Sequence, residues 1–119
     1  MDKPERHEKG WGYELWISNT KNYCGKILHF NERKRCSVHY HEIKDETFYL
    51  LSGQLELLLS DSPEEYKKGN TSKVIMNPGD IVSIWPKRVH QMIALKESEL
   101  LEISTQHFEE DSYRLVKGD

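Results

Sequence analysis

Four side chains of this sequence have both a residue type and a spacing that suit the binding of one divalent metal ion. His39 and His41 lie two residues apart, and on a β-strand that spacing places both side chains on one face, with Cα atoms about 6.5 Å apart. Their imidazoles can therefore converge on one ion. Glu46 follows after a short turn and begins the next antiparallel strand, so its carboxylate can return toward the same point. His90, after Pro86, is the fourth candidate ligand.

Three imidazoles and one carboxylate suit Zn²⁺, Fe²⁺, Mn²⁺ or Ni²⁺, and the sequence does not choose among these divalent ions. Such a ligand set leaves one or two coordination positions for water or a substrate, as a catalytic site requires. The alternative is that the histidines are interior groups of a protein that has lost its metal. Because all four positions carry competent ligands, we favour the metal.

Short apolar runs separated by turn residues predict about nine β-strands, a pattern typical of an all-β sandwich or barrel. The predicted strands cover residues 13–18, 24–30, 35–41, 46–51, 54–60, 74–76, 81–85, 89–95 and 99–104. Ser52-Gly53 is expected to form a two-residue hairpin turn. Residues 61–73 are predicted to be an exposed loop with a small helical turn at most, and residues 107–114 to contain one helical turn.

The first metal-binding segment carries the main resemblance to a known family. The spacing His39-x-His41-x4-Glu46-x6-Gly53 resembles the first motif of the cupin superfamily. The resemblance implies an all-β double-stranded β-helix, which is a small jelly roll or cupin barrel, with a metal inside. By the same resemblance, His39, His41, Glu46 and His90 are the metal ligands.

The second cupin motif is matched less well, by residues 78–90. Lys87 stands where the family usually has a glycine, and Trp85 stands where it usually has a proline. Ala94 occupies the position of a usual asparagine. These departures predict a turn of different shape before His90, which makes it the least secure of the four ligands.

Two terminal segments, 10–14 and 110–115, are similar to the opening and closing segments of mannose-6-phosphate isomerase-like small cupins. That resemblance implies a substrate contact by Arg114 and a pocket wall that includes Trp11. It also implies a sugar or sugar phosphate as the ligand, and a homodimer. Glu46 and Arg114 are the candidate catalytic residues.

Strand parity places further side chains near the expected site. Phe48 shares the face of Glu46 and Met92 shares the face of His90, so both are expected to line the pocket. Arg88 precedes His90 at the expected mouth of the barrel, where a cation suits a phosphate or a carboxylate.

Glu102 is a candidate pocket carboxylate because its parity differs from that of Leu101 and Ile103, which we assign to the core. Lys26 could point inward, but a lysine at a strand edge is the default expectation. His7 lies in an N-terminus that we expect to be mobile, and it receives no role.

The chain of 119 residues is long enough for one domain, so we expect a single cupin domain over residues 1–119. Its core would cover about residues 11–105, with residues 106–119 packing on the barrel. The net charge of −3 argues against a nucleic-acid partner. We expect no membrane segment and no secretory signal. Cys24 and Cys36 lack a CxxC spacing, which favours reduced thiols in a cytoplasmic protein.

Three functions remain open from the sequence. The first is a metal-dependent isomerase or epimerase in which the ion polarises the carbonyl and adjacent hydroxyl of an open-chain sugar or sugar phosphate. The second is an Fe²⁺-dependent cupin dioxygenase, in which the open coordination positions take O₂ and substrate. The third is a non-catalytic cupin that binds a small ligand such as a sugar.

Overall fold

The computed structural model describes residues 1–119 and is almost entirely β-structure. The strands are β1 (Glu5–Lys9), β2 (Gly12–Asn19), β3 (Cys24–Phe30), β4 (Val38–Tyr40), β5 (Glu46–Ser60), β6 (Ser72–Met76), β7 (Ile81–Ile84), β8 (Val89–Ser104) and β9 (Tyr113–Val116). One short helix, α1 (Pro63–Lys67), lies between β5 and β6, and a 3-10 turn (Glu109–Asp111) precedes β9.

Two long antiparallel strands, β5 and β8, organise the fold because each takes part in both layers. The C-terminal half of β8 and the N-terminal half of β5 lie in a first layer with the order β1-β2-β3-β8-β5-β7. Their other halves lie in a second layer with the order β9-β4-β8-β5-β6. This antiparallel arrangement is the predicted all-β jelly roll.

Ser52 and Gly53 do not form a hairpin, so that prediction was wrong. They lie inside β5, at a place where the register between β5 and β8 shifts. The chain bends there from one layer to the other and continues in the same direction. Predicted strands 46–51 and 54–60 are therefore two halves of one strand, and the same holds for 89–95 and 99–104. Turn residues mark a bulge as readily as they mark a hairpin.

The edge strands β1 and β9 were not predicted. β1 contains only polar residues, and β9 has four residues and overlaps the segment 107–114, where a helical turn was predicted. The N-terminus is consequently ordered, and the ring of His7 stacks on Trp16 with 4.0 Å between ring centroids. The predicted helical turn in residues 61–73 is present as α1, which the Ser62 side chain caps. No helix of the protein has the length and apolar character needed to cross a membrane.

The core lies between the two layers and is lined by alternate residues of β3, β5 and β8. Leu100 is fully buried, whereas Ile103 is 57% exposed. The assignment of Leu101 and Ile103 to the core was therefore wrong, because the outer face of the first layer is also apolar. The inner face at this point carries Leu100 and Glu102, so Glu102 faces the interior.

Gly53 gives a direct test of the bend in β5. Its φ is +90°, and a Cβ placed there would overlap Ser98 Oγ and the carbonyl oxygen of Glu97. Gly69 is a matched control, since its φ is +83° and a Cβ placed there would have nothing within 4 Å. We expect Gly69→Ala to lower the free energy of unfolding by about 1 kcal/mol, from backbone strain alone.

Gly53→Ala should lower the free energy of unfolding by about 3 kcal/mol or more, because backbone strain and steric overlap add. Urea denaturation of the two variants measures the difference. Equal losses would show that the close approach of β5 and β8 at the bend is not as described.

Candidate metal centre

The three predicted histidine ligands meet between the layers. His39 on β4 lies opposite His90 on β8 in the strand register, so the two side chains share one face. His41 follows directly after β4. One ligating nitrogen from each of the three rings lies within 4.8 Å of the others. This convergence includes His90, despite the departures from the usual motif around it.

Glu46, the first residue of β5, approaches the same point from the first layer. Its Oε2 lies 3.6 Å from His41 Nε2 and 3.7 Å from His90 Nε2. Both Glu46 Oε2 and His90 Nε2 are buried and have no hydrogen-bond partner. Unpaired buried polar atoms are costly, and such atoms facing one another at this spacing leave room for a small cation.

Backbone carbonyls fix the orientation of all three imidazoles. In each ring Nδ1 lies within hydrogen-bond distance of a carbonyl oxygen: 2.9 Å for His39 and Ser37, 2.6 Å for His41 and Asp111, and 3.0 Å for His90 and Arg88. Since a carbonyl only accepts, Nδ1 carries the proton. The Nε2 lone pair is then free for a metal ion, which is the tautomer that metal-binding histidines use.

Burial sets the charge of these groups. It lowers the pKa of His39 to about 4, lowers the pKa of His41, and lowers the pKa of His90 well below its usual value. The imidazoles are therefore neutral near pH 7, as metal binding requires. Burial, with the nearby Glu102 carboxylate, raises the pKa of Glu46. Neutral imidazoles, free Nε2 lone pairs and a buried carboxylate without a cation at Oε2 together fit a divalent ion.

A buried lysine that the sequence did not single out holds the other oxygen of Glu46. Lys44 Nζ lies 3.2 Å from Glu46 Oε1, 2.7 Å from Glu102 Oε2 and 3.0 Å from His107 Nδ1. Although burial opposes it, the carboxylates of Glu46 and Glu102 raise the pKa of Lys44, so the ammonium remains charged. Glu46 is thereby oriented with Oε2 alone toward the histidines.

Asp111 holds the loop that joins β4 to β5. Its buried carboxylate accepts hydrogen bonds from the backbone N–H groups of Glu42, Ile43 and Lys44 at 2.9–3.2 Å. Its carbonyl oxygen accepts the hydrogen bond from His41. The sequence offered only an acidic pair at 110–111, and the role of Asp111 depends on a contact between residues about 70 positions apart.

The candidate metal ligands lie in a cavity of about 460 Å³ whose lining is mostly polar. Five predicted pocket residues line it: Trp11, Phe48, Met92, Glu102 and Arg114. Residues at the cavity that the sequence did not assign include Lys9, Glu14, Lys26, Lys44, His107 and Lys117. Lys26 is only 2% exposed, so the expectation of a strand-edge lysine was wrong.

Arg88 does not line this cavity, contrary to expectation. Its guanidinium donates to the carbonyl of Ser83 at 2.7 Å and stacks on Trp85 at 3.9 Å. The preceding residue, Lys87, has a φ of +73°, so the strand alternation that predicted the position of Arg88 does not apply. The backbone carbonyl of Arg88, which orients His90, is its contribution to the centre.

Comparisons with known proteins establish the fold. No protein-family model matches the chain, and no curated protein matches its sequence. Solved structures do match. KdgF from Halomonas sp. is 17% identical, with a TM-score of 0.73 and coverage of 89% of both chains. CapF from Staphylococcus aureus, a capsular polysaccharide assembling protein, is 13% identical with a TM-score of 0.83. Oxalate decarboxylase from Bacillus subtilis is 16% identical with a TM-score of 0.80.

The match covers 98% of this chain and 32% of CapF, and 94% of this chain and 30% of oxalate decarboxylase. The chain therefore spans about a third of the length of those two proteins. It has the fold that the cupin resemblance implied. At these identities the likeness concerns the fold alone, and the resemblance to mannose-6-phosphate isomerase-like cupins remains a prediction.

Loss of Asp111 should weaken metal binding more than it weakens the fold. Asp111→Asn puts an amide where three N–H donors converge, so the loop that carries Lys44 and precedes Glu46 loses its anchor. We expect a 10- to 100-fold loss of affinity for Zn²⁺, about the usual effect of removing a group that orients a ligand. Glu110→Gln is the matched control at an exposed neighbour. Calorimetric titration measures both, and equal affinity in the two variants would contradict this role.

The buried histidines predict the acid stability of the metal-free protein. Burial holds the pKa of His39 at about 4 and, with the nearby Lys44 ammonium, that of His107 at about 3. Between about pH 6.5 and pH 4 the unfolded chain binds protons that the folded chain excludes. The free energy of unfolding should therefore fall as the pH falls through that window.

The raised pKa of Glu46 opposes this trend, because the folded chain then binds a proton that the unfolded chain lacks. One carboxyl group acts in this direction, whereas the lowered pKa values of four imidazoles, those of His39, His41, His90 and His107, act in the other. Urea unfolding after metal removal by a chelator, repeated at several pH values, measures the slope. His107→Gln should make the slope shallower. A stability that is flat or that rises on acidification would contradict the buried neutral histidines.

Proposed function

We propose that this protein is a metal-dependent isomerase or epimerase that acts on an open-chain sugar or sugar phosphate. One observation carries the proposal: nitrogens of three imidazoles and an oxygen of Glu46 converge, and two of these atoms are buried without any partner. All four residues line a polar cavity large enough for a small oxygen-rich molecule. His39, His41, His90 and Glu46 would hold the ion, which we expect to be Zn²⁺, Fe²⁺, Mn²⁺ or Ni²⁺.

When bound, a divalent ion supplies Lewis acidity to a carbonyl and an adjacent hydroxyl oxygen. The protein supplies the group that moves the proton, and Glu102 is placed for it. Its Oε2 accepts from Lys44 Nζ at 2.7 Å and from Ser104 Oγ at 2.8 Å, and the side chain lines the cavity. The ammonium groups of Lys44 and Lys26 outweigh burial and lower the pKa of Glu102, so it is ionised and can accept a proton.

Other cavity residues would exclude water from the ligand or bind its anionic group. Trp11, Phe48 and Met92 are buried and exclude water from the metal end. Arg114 is exposed at the cavity, opposite His39 in the strand register, where it can bind a phosphate or carboxylate at the far end of the ligand. CapF, which shares the fold, is a capsular polysaccharide assembling protein, and this supports a sugar-related ligand.

Proton exchange in D₂O tests the proposal even while the product is unidentified. The metal-loaded protein should incorporate deuterium next to the carbonyl of at least one member of a panel of aldose and ketose phosphates, measured by NMR. Glu102→Gln should slow this exchange by about 100-fold or more, because it removes the base. Glu99→Gln, on the outer face of the same strand, should leave it unchanged.

Three results would overturn the isomerase. Absence of exchange with the whole panel is the first. The second is oxygen uptake by the Fe²⁺-loaded protein, which would favour a dioxygenase. The third is tight sugar binding without turnover that persists in His39→Ala, which would favour a binding protein.

We also propose a homodimer and a cytoplasmic location. The outer face of the first layer carries apolar side chains that are more than half exposed, among them Ile81 and Ile103, and we expect a second copy to cover it. Cys24 and Cys36 are buried and unpaired, which supports a reducing compartment.

A further inference from the structure

Two lysines are buried in the cavity, and they differ in how well their ammonium groups are satisfied. Lys44 has three acceptors for its three N–H donors. Lys26 is equally buried, but its Nζ has only Glu14 Oε1 at 3.5 Å and the ring of Trp16 at 4.2 Å. An ammonium with unused donors is costly to bury. Because Lys26 lines the cavity, those donors are available to a ligand.

Glu14 stands beside Lys26 and is only partly engaged. Its Oε1 accepts from Trp16 Nε1 at 2.8 Å, and its Oε2 has no partner in the protein. The side chain is 14% exposed and lines the same cavity. A free acceptor thus lies next to a free donor. The pair carries no net charge, and the nearby Glu102 is itself paired with the Lys44 ammonium.

The Lys26–Glu14 pair lies apart from the metal ligands. Lys26 on β3 is opposite Glu102 on β8, which is opposite Phe48 on β5. Neighbouring strands lie about 4.8 Å apart, so about 10 Å separates β3 from β5, the strand that carries Glu46. Lys26 therefore enters the cavity from a strand that carries none of the candidate metal ligands.

We propose that Lys26 and Glu14 form a second binding subsite, which binds the hydroxyl groups of an uncharged polyol chain. A hydroxyl both donates and accepts, so it satisfies the free donor of Lys26 and the free acceptor of Glu14 together. A carboxylate or phosphate only accepts, so it would offer no donor to the free oxygen of Glu14 and would lie beside that negative charge. The inference rests on the proposed metal centre. It predicts that the substrate is a polyhydroxylated chain, and that any anionic group of the substrate lies away from Lys26 and Glu14.

Hydroxamates that share one metal-binding group and differ only in their tails can test this subsite. The probes are acetohydroxamate, gluconohydroxamate and its analogue whose tail ends in a carboxylate. They are titrated into the Co²⁺-loaded protein, and the visible spectrum of the ion reports binding. We expect the neutral polyol tail to improve affinity about tenfold or more over acetohydroxamate, as new hydrogen bonds to charged groups would. The carboxylate-ended tail should bind less tightly than the neutral one.

Lys26→Met and Glu14→Gln should each abolish the affinity ratio between the polyol tail and acetohydroxamate, while acetohydroxamate still binds each variant. That retained binding also shows that each variant is folded. Lys26→Arg should keep part of the advantage, and Lys96→Met, an exposed control, should keep all of it. Tail discrimination that persists in both Lys26→Met and Glu14→Gln overturns the subsite.

Tightest binding by the carboxylate-ended tail also overturns it. If the polyol tail adds nothing while acetohydroxamate binds, the subsite fails and the metal centre stands. If acetohydroxamate leaves the Co²⁺ spectrum unchanged, the ion offers no open position to a ligand, and the proposed function and the subsite both fail.

Discussion

The constraint on which the rest of this structure depends is the convergence of ligating atoms from three histidines and Glu46 between the two layers. Glu46 Oε2 and His90 Nε2 face each other 3.7 Å apart with no donor between them, and His39 and His41 complete the ring. Lys44 pairs with Oε1 of Glu46, but burial of the second oxygen without a partner is costly in a protein interior. A divalent cation removes that cost in one step, because it accepts every free lone pair in the group.

The surrounding fold can be understood as support for that group. Three backbone carbonyls set the imidazole tautomers, and Lys44 takes the remaining oxygen of Glu46. The bend in β5 and β8 brings the two layers together, so that Glu46 from one layer meets the histidines of the other. Asp111 ties the C-terminal segment to the loop between β4 and β5. Beyond the ligands, the inner face of the first layer becomes a network of charged groups, and this makes the cavity polar.

Local patterns in the sequence predicted what local geometry determines. The alternation of β3 gave its bounds correctly, and the spacing of His39 and His41 placed both imidazoles in the cluster that they form with His90. Lys44 and Asp111 could not be found in this way, because their roles arise from contacts between distant segments. Arg88 was misplaced because a single left-handed residue before it breaks the strand alternation. The predicted hairpin at Gly53 was wrong because β5 stays paired with β8 on both sides of this glycine, and that pairing is not visible in the local sequence.

Anomalous diffraction from crystals of protein purified without added metal tests the central claim most directly. Data collected above and below the absorption edges of Mn, Fe, Ni and Zn would locate and identify the ion. We predict one peak per chain, about 2.0–2.3 Å from Nε2 of His39, His41 and His90 and from Oε2 of Glu46. No peak at this point after supplementation with each of these ions, or a peak coordinated by other residues, would contradict the account.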